Sequence, residues 1–532
     1  MAISRRNLIK AGMAAGTALS MPSILRAQTS PDDARTVRMV MADLTVFDPI
    51  LSTADITRMH GFAVYDTLFA PDLKGTPQPQ MVEKWGVSDD KKTYTFQLRE
   101  GLIFHDGSPV TAADCVASIR RWGQVDAGGK LIMARAKDIS KKDEKTFAIA
   151  LKEPLGILFD ALVEGLYLAI MQEKDADRPA TEQVTSNIGS GPFKFNEALA
   201  KPGASFTYDR NEQYVPRQEP ADGFAGGKVV KVDRAIWQVI SDQQTALAAL
   251  QAGETDLVWT PPADLYPVIE SDPNLELQVL SKASATMFVR MNFLQPPFDN
   301  VKARQAVLHL VDQEAFMRVA YPDPRFTQTV SSIFGNSPVY SNDENTGWFK
   351  KGGDPEKARQ LLQEAGYAGE KIVILQPTDW PEASNASQLL ADMLRKIGGN
   401  AALDPMSFSE LTQRRANKGP IENGGWNIFI SDYSGYNPVN TPFLLANGEE
   451  AYFGWPKNEE YEALRAKWVD VGTIEERQAL ARKMQKVWWD FVGGVLLGRS
   501  VYPVAHRKAL TGLLEVPGNY GFPMWNMQKV ST

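Results

Sequence analysis

The chain has 532 residues, with 57 Lys and Arg against 64 Asp and Glu and a formal net charge of −7 at pH 7. Hydrophobic residues at 43% and charged residues at 23% are ordinary globular proportions and exclude a disordered chain, while the acidic balance argues against a surface built to neutralise nucleic-acid phosphates. One cysteine, Cys115, excludes an intrachain disulfide, and four scattered histidines (His60, His105, His309, His506) give no basis for a metal cluster, so neither metal nor cofactor is expected.

The first residues read as an address. Ser4-Arg5-Arg6-Asn7-Leu8-Ile9-Lys10 carries twin arginines, and Ala11 to Leu25 is uncharged, rich in Ala and Gly, and broken by Pro22. A spanning helix needs about 20 apolar residues, so this stretch is too short to anchor the chain. Ala27 supplies a small residue for cleavage, and residues 1–27 together resemble a twin-arginine export signal. Its removal takes away Arg5, Arg6, Lys10 and Arg26 and no acid. The remainder has no long apolar run and no cysteine near the cut for a lipid anchor, so a soluble periplasmic protein is expected.

Thr36 to Met41 alternates and predicts a strand, as does Thr93 to Arg99, with Tyr94, Phe96 and Leu98 on one face. Asp106-Gly107 is a turn, and Thr111-Ala112-Ala113-Asp114 is a capping box opening a helix through Ile119. Phe147, Ile149 and Leu151 predict another strand. Ser241 or Asp242 caps a helix that Gly253 stops, and Asp256 to Trp259 follows as a strand. Asp354-Pro355 starts a helix with Ala358, Leu361, Leu362 and Ala365 inward, ended by Gly366 before a buried strand at Lys371 to Leu375. Thr473-Ile474-Glu475-Glu476 caps a last helix, through about Phe491, that carries Trp488 and Trp489. The pattern is mixed α/β.

Catalytic motifs do not fit. Gly227-Lys228 is followed by Val229, so there is no phosphate-binding P-loop, and neither H-E-x-x-H nor G-x-S-x-G occurs. Gly189-Ser190-Gly191 runs straight into Pro192 and reads as a tight turn rather than a nucleophile elbow. His105-Asp106 precedes a turn and reads as loop structure. No catalytic residue is expected, and the chain is not read as an enzyme.

Several segments, in order, resemble the periplasmic peptide- and nickel-binding proteins of ABC transporters, solute-binding protein family 5. They are Phe47-Asp48-Pro49, Val64 to Phe69, and the long run Glu83-Lys84-Trp85 through Asp89 to Arg99 and Gly101 to Asp114. Gly189 to Phe193, Asn211 to Tyr214, Gly253 to Asp256, Pro296 to Asn300 with Arg304 to Ala306, and Asp354 to Tyr367 complete the series. The resemblance implies an α/β two-lobe periplasmic binding protein fold (type II, large class) with an extra subdomain inserted in the first lobe. Lobe I would be residues 28–75, 206–290 and 497–532, the insert 76–205, and lobe II 291–496. It also implies a monomer that closes on a peptide-like or other small organic solute and hands it to ABC permease subunits with their ATPases. A secreted hydrolase of peptides or sugars and a chemoreceptor-coupled binding protein remain as alternatives.

The same resemblance brings Thr53, Ala54 and Asp55, after Asp48-Pro49, to the cleft, along with Trp259. Arg290 and Asn292 lie beside the expected crossover; an Arg there suggests an anionic group on the solute, because guanidinium matches carboxylate or phosphate. Trp426 to Pro438 resembles the family's ligand-gripping strand and loop, making Asp432, Tyr433 and Tyr436 candidates. Asn437 precedes Pro438, and the loop looks about two residues short, so Asp432 falls early for holding a peptide amine.

Overall fold

The computed structural model describes residues 35–52, 54–164, 167–281, 285–337, 339–435, 437–439, 441–518 and 521–530. The export-signal expectation over 1–27, and the candidates Thr53 and Tyr436, lie outside the described residues.

Apolar alternation builds three main sheets among the described residues. The first has seven strands, in the order Leu275–Gln278, Val504–Arg507, Leu257–Val258, Thr36–Val40, Arg234–Gln238, Ser205–Arg210, Phe193–Phe195. Its middle strand, Thr36–Val40, runs parallel to both neighbours. Parallel pairing demands cover on both faces, and the consecutive residues Met39 and Val40, which point to opposite faces, are both buried. The second sheet has six strands, in the order Thr327–Gln328, Val495–Ser500, Ala285–Met291, Ile428–Tyr433, Lys371–Pro377, Asn400–Met406. Ala285–Met291 is buried at every position. An antiparallel four-stranded sheet (Val82–Val87, Thr93–Leu98, Thr146–Leu151, Ala136–Lys141) lies in the chain between two strands of the first sheet.

The polypeptide passes from the first sheet to the second between Gln278 and Ala285, and returns between Ser500 and Val504. This corrects the expected boundaries. Breaks at 290/291 and 496/497 would cut through Ala285–Met291 and Val495–Ser500, which belong whole to the second sheet. Phe193–Phe195, expected with the insert, is an edge strand of the first sheet. An apolar run looks the same whichever sheet it enters, so periodicity could not place these limits.

Local signals fared better. Thr111 and Asp114 form the capping box of helix Ala112–Trp122, which runs a turn-length past Ile119. The Asp242 side chain accepts from Thr245 N, and Gly253 ends that helix at φ 78°. Ala358, Leu361 and Leu362 are buried on helix Pro355–Glu364. The Gly189 turn packs against Val64, where an added Cβ would lie 1.9 Å from a carbonyl oxygen. His105 donates from Nε2 to Gly191 O and accepts at Nδ1 from Gly189 N, holding that turn, as loop structure predicts.

The core of the four-stranded unit is continuous with that of the six-stranded sheet, whereas the seven-stranded sheet has its own. Arg477 straps the first two together, donating to Asp160 Oδ2 at 2.9 Å and to Gly156 O at 3.0 Å. Asn437 also donates to the Glu164 carboxyl, which burial pushes up to about 8.

Candidate functional site

A cavity of about 450 Å³ lies between the seven- and six-stranded sheets, in the size range of small-molecule sites. Its floor is the chain crossings themselves: Leu280 and Ser281 from one, Val501 and Tyr502 from the other. One wall comes from the first sheet's side, with Asp55 opening helix Asp55–Val64 and Trp259, Thr260 and Pro261 following strand Leu257–Val258. The run Thr260-Pro261-Pro262 cannot continue a strand, so the chain turns out and presents the Trp259 ring half-buried. The facing wall carries Tyr321, Phe326 and Glu382, the last in the first turn of helix Pro381–Lys396. The walls touch at the rim, where Tyr266 meets Phe326 edge-on at 5.3 Å between centroids. Arg325 also crosses there, reaching Glu270 on one side while holding Asp323 on its own.

The cavity is acidic. Asp55, Asp323 and Glu382 line it, and no Lys, Arg or His does among the described residues. Asp323 is neutralised by Arg325, which holds its carboxyl below the usual range. Burial pushes the Asp55 carboxyl up, partly offset by Arg58 one turn on. Asp432, at the end of strand Ile428–Tyr433, lies close enough to Glu382 and to the Tyr321 and Tyr502 rings to act on all three; burial first, and Glu382 after it, raise its carboxyl to about 6. The Tyr321 and Tyr502 hydroxyls stand 3.4 Å apart.

Of the candidates read from sequence, Asp55 and Trp259 line the cavity and Asp432 stands beside it, while Ala54 is exposed at the N-cap of the Asp55 helix. Arg290 and Asn292 require correction, since both are completely buried. Arg290 donates to Gly493 O and, at 2.8 Å, to Phe443 O, with its guanidinium 4.9 Å from the Phe443 ring centroid. Asn292 donates to Trp426 O at 2.9 Å. Arg290 lies in, and Asn292 just after, a strand inside the second sheet, at the end away from the crossing, so neither lines the cavity and the case for an anionic solute falls. Tyr433 is 8% exposed, donates to Ile333 O at 3.0 Å and stacks on Phe443, so it serves the core. Tyr321, Glu382 and Tyr502 were missed. They come from three distant segments that no local pattern links; only the Pro-Pro break after Trp259 was a readable signal.

Two lobes joined by paired crossings, with a cavity between them, define a type II periplasmic binding protein fold. The chain belongs to the bacterial extracellular solute-binding proteins, family 5, whose middle region matches residues 76–453. It is 62% identical over 535 residues, covering 99% of this chain and 100% of the other, to the "Probable peptide ABC transporter periplasmic-binding protein y4tO" of Sinorhizobium fredii. It is 25% identical, over 97% of each chain, to the "Glutathione-binding protein GsiB" of Shigella boydii. Among solved structures, the ABC transporter substrate-binding protein CtaP of Listeria monocytogenes superposes with a TM-score of 0.75 at 20% identity, covering 93% of this chain and 99% of that one.

Proposed function

We propose that this chain is the solute-binding component of an ABC importer, exported through residues 1–27 to the periplasm. It captures a small solute of the peptide class and delivers it unchanged to permease subunits driven by ATPases. One lobe is built on the seven-stranded sheet, the other on the six-stranded sheet, with the four-stranded unit inserted in the chain of the first. The observation that carries this reading is a cavity floored by both crossings and walled from both sheets. A solute there touches both lobes only when they close, so binding energy drives closure and the closed surface reports occupancy to a partner. The name of the 62% identical relative supports both the peptide class and the transporter. The protein acts as a monomer and without turnover.

Native mass spectrometry of freshly purified protein, followed by calorimetry with whatever co-purifies, tests this. One solute per chain, recovered chemically intact, is expected. Consumption of many equivalents of any bound compound would instead favour the hydrolase reading.

A further inference from the structure

We infer that Asp55 and Glu382, one on each wall of the cavity, form a two-sided carboxylate clamp for a positively charged group on the solute, an ammonium or guanidinium. The inference rests on the solute-binding reading and names the charge class of the cargo. Three observations carry it. First, both carboxylates line the same cavity from opposite walls, and neither makes a hydrogen bond or ion pair among the described residues. Second, the nearby cations are committed elsewhere. Arg325 is held by Asp323 and Glu270; Arg58, one turn after Asp55, offsets only part of the effect of burial on that carboxyl and is not among the residues lining the cavity. Third, Asp432 adds another carboxylate near Glu382, with no ion pair among the described residues.

Closing the lobes on an empty or neutral-filled cavity brings like charges together where water is scarce, which opposes closure. A cation between them turns that repulsion into attraction. The rings of Trp259, Tyr321 and Tyr502 reinforce the same preference, because aromatic faces attract cations. The clamp therefore selects charge through closure rather than through one contact, and it disfavours an anionic solute.

The test uses full-length mature protein and a set of small probes in matched cationic, neutral and anionic forms. The probes are tripeptides with a central Lys, acetyl-Lys or Glu, and the non-peptide series agmatine, butylurea and butyrate. Retention is read by native mass spectrometry and affinity by calorimetry. Cationic members should be retained over neutral ones by about tenfold or more. Asp55→Asn and Glu382→Gln should each lower that ratio by about tenfold while the melting temperature stays within a few degrees. Glu382→Lys should move the preference towards anionic members. Preferential retention of neutral or anionic probes, retention of none, or a cationic preference untouched in both neutral variants would overturn the clamp. Capture of agmatine but of no peptide would keep the clamp and overturn the peptide class instead.

Discussion

Arg290→Ala is expected to unfold the protein more easily without weakening solute capture. The wild-type guanidinium makes two charge-assisted bonds to the carbonyls of Gly493 and Phe443 and sits on the Phe443 ring. Such bonds contribute about 1.5–3 kcal/mol each, and a desolvated cation over a ring about 2 kcal/mol. Opposing them, burial without a carboxylate partner among the described residues costs several kcal/mol and holds the guanidinium down to about 9. Truncation relieves that cost but leaves a void and two unpaired carbonyls, so a net loss of about 3 kcal/mol is expected. Arg290→Met, which refills the volume, should lose less, about 1–2 kcal/mol. Urea unfolding followed by circular dichroism measures the stability, and calorimetry with the co-purified solute measures capture. Unchanged stability together with an affinity loss of more than about 1.5 kcal/mol would show that Arg290 reaches the solute after all.

The remaining expectations concern the cavity and the interlobe strap. Asp432, raised to about 6 from 3.8, takes up its proton in the folded state first as pH falls, so its ionisation costs stability above about pH 6 and nothing below 3.8. Asp432→Asn should therefore stabilise the empty protein at pH 7.5 by about 1–3 kcal/mol, with no gain at pH 3.5; a wild-type pH slope in the variant contradicts this. Trp259→Phe should abolish most of the tryptophan emission change on binding and cost about 0.5–1.5 kcal/mol of affinity, measured by fluorescence titration. Arg477→Ala removes the bonds to Asp160 and Gly156, none of which lines the cavity, and should weaken capture by about tenfold while enlarging the radius of gyration by scattering. Unaltered dimensions and affinity would mean the strap is indifferent to closure.

What the sequence revealed, and what it hid, follows from the range of each interaction. The Thr111–Asp114 cap, the Gly253 stop and the Tyr94-Phe96-Leu98 face are set by neighbours within a few residues, and all are present. The ordered segments also sufficed for the family. The sheet to which Ala285–Met291 belongs depends on pairing with Ile428–Tyr433, more than a hundred residues away, and no period encodes that. Arg290 misled for a related reason: a guanidinium on an alternating strand reads as a surface or ligand group, yet here two backbone carbonyls and a ring accept it in the interior. Glu382 went unnoticed because a carboxylate in the first turn of a helix is explained by the helix dipole alone.

The return crossing is only Val501-Tyr502-Pro503, a tether whose span is about 10 Å at full stretch and whose proline stiffens it. Such a pivot allows the halves to swing but not to slide apart. The mouth must therefore gape on the side away from the pivot, and a solute dropping in meets Val501 and Tyr502 before the second wall arrives. Changes at Tyr502 should thus register in how fast cargo is first retained, whereas changes at the far rim should register in how long it stays.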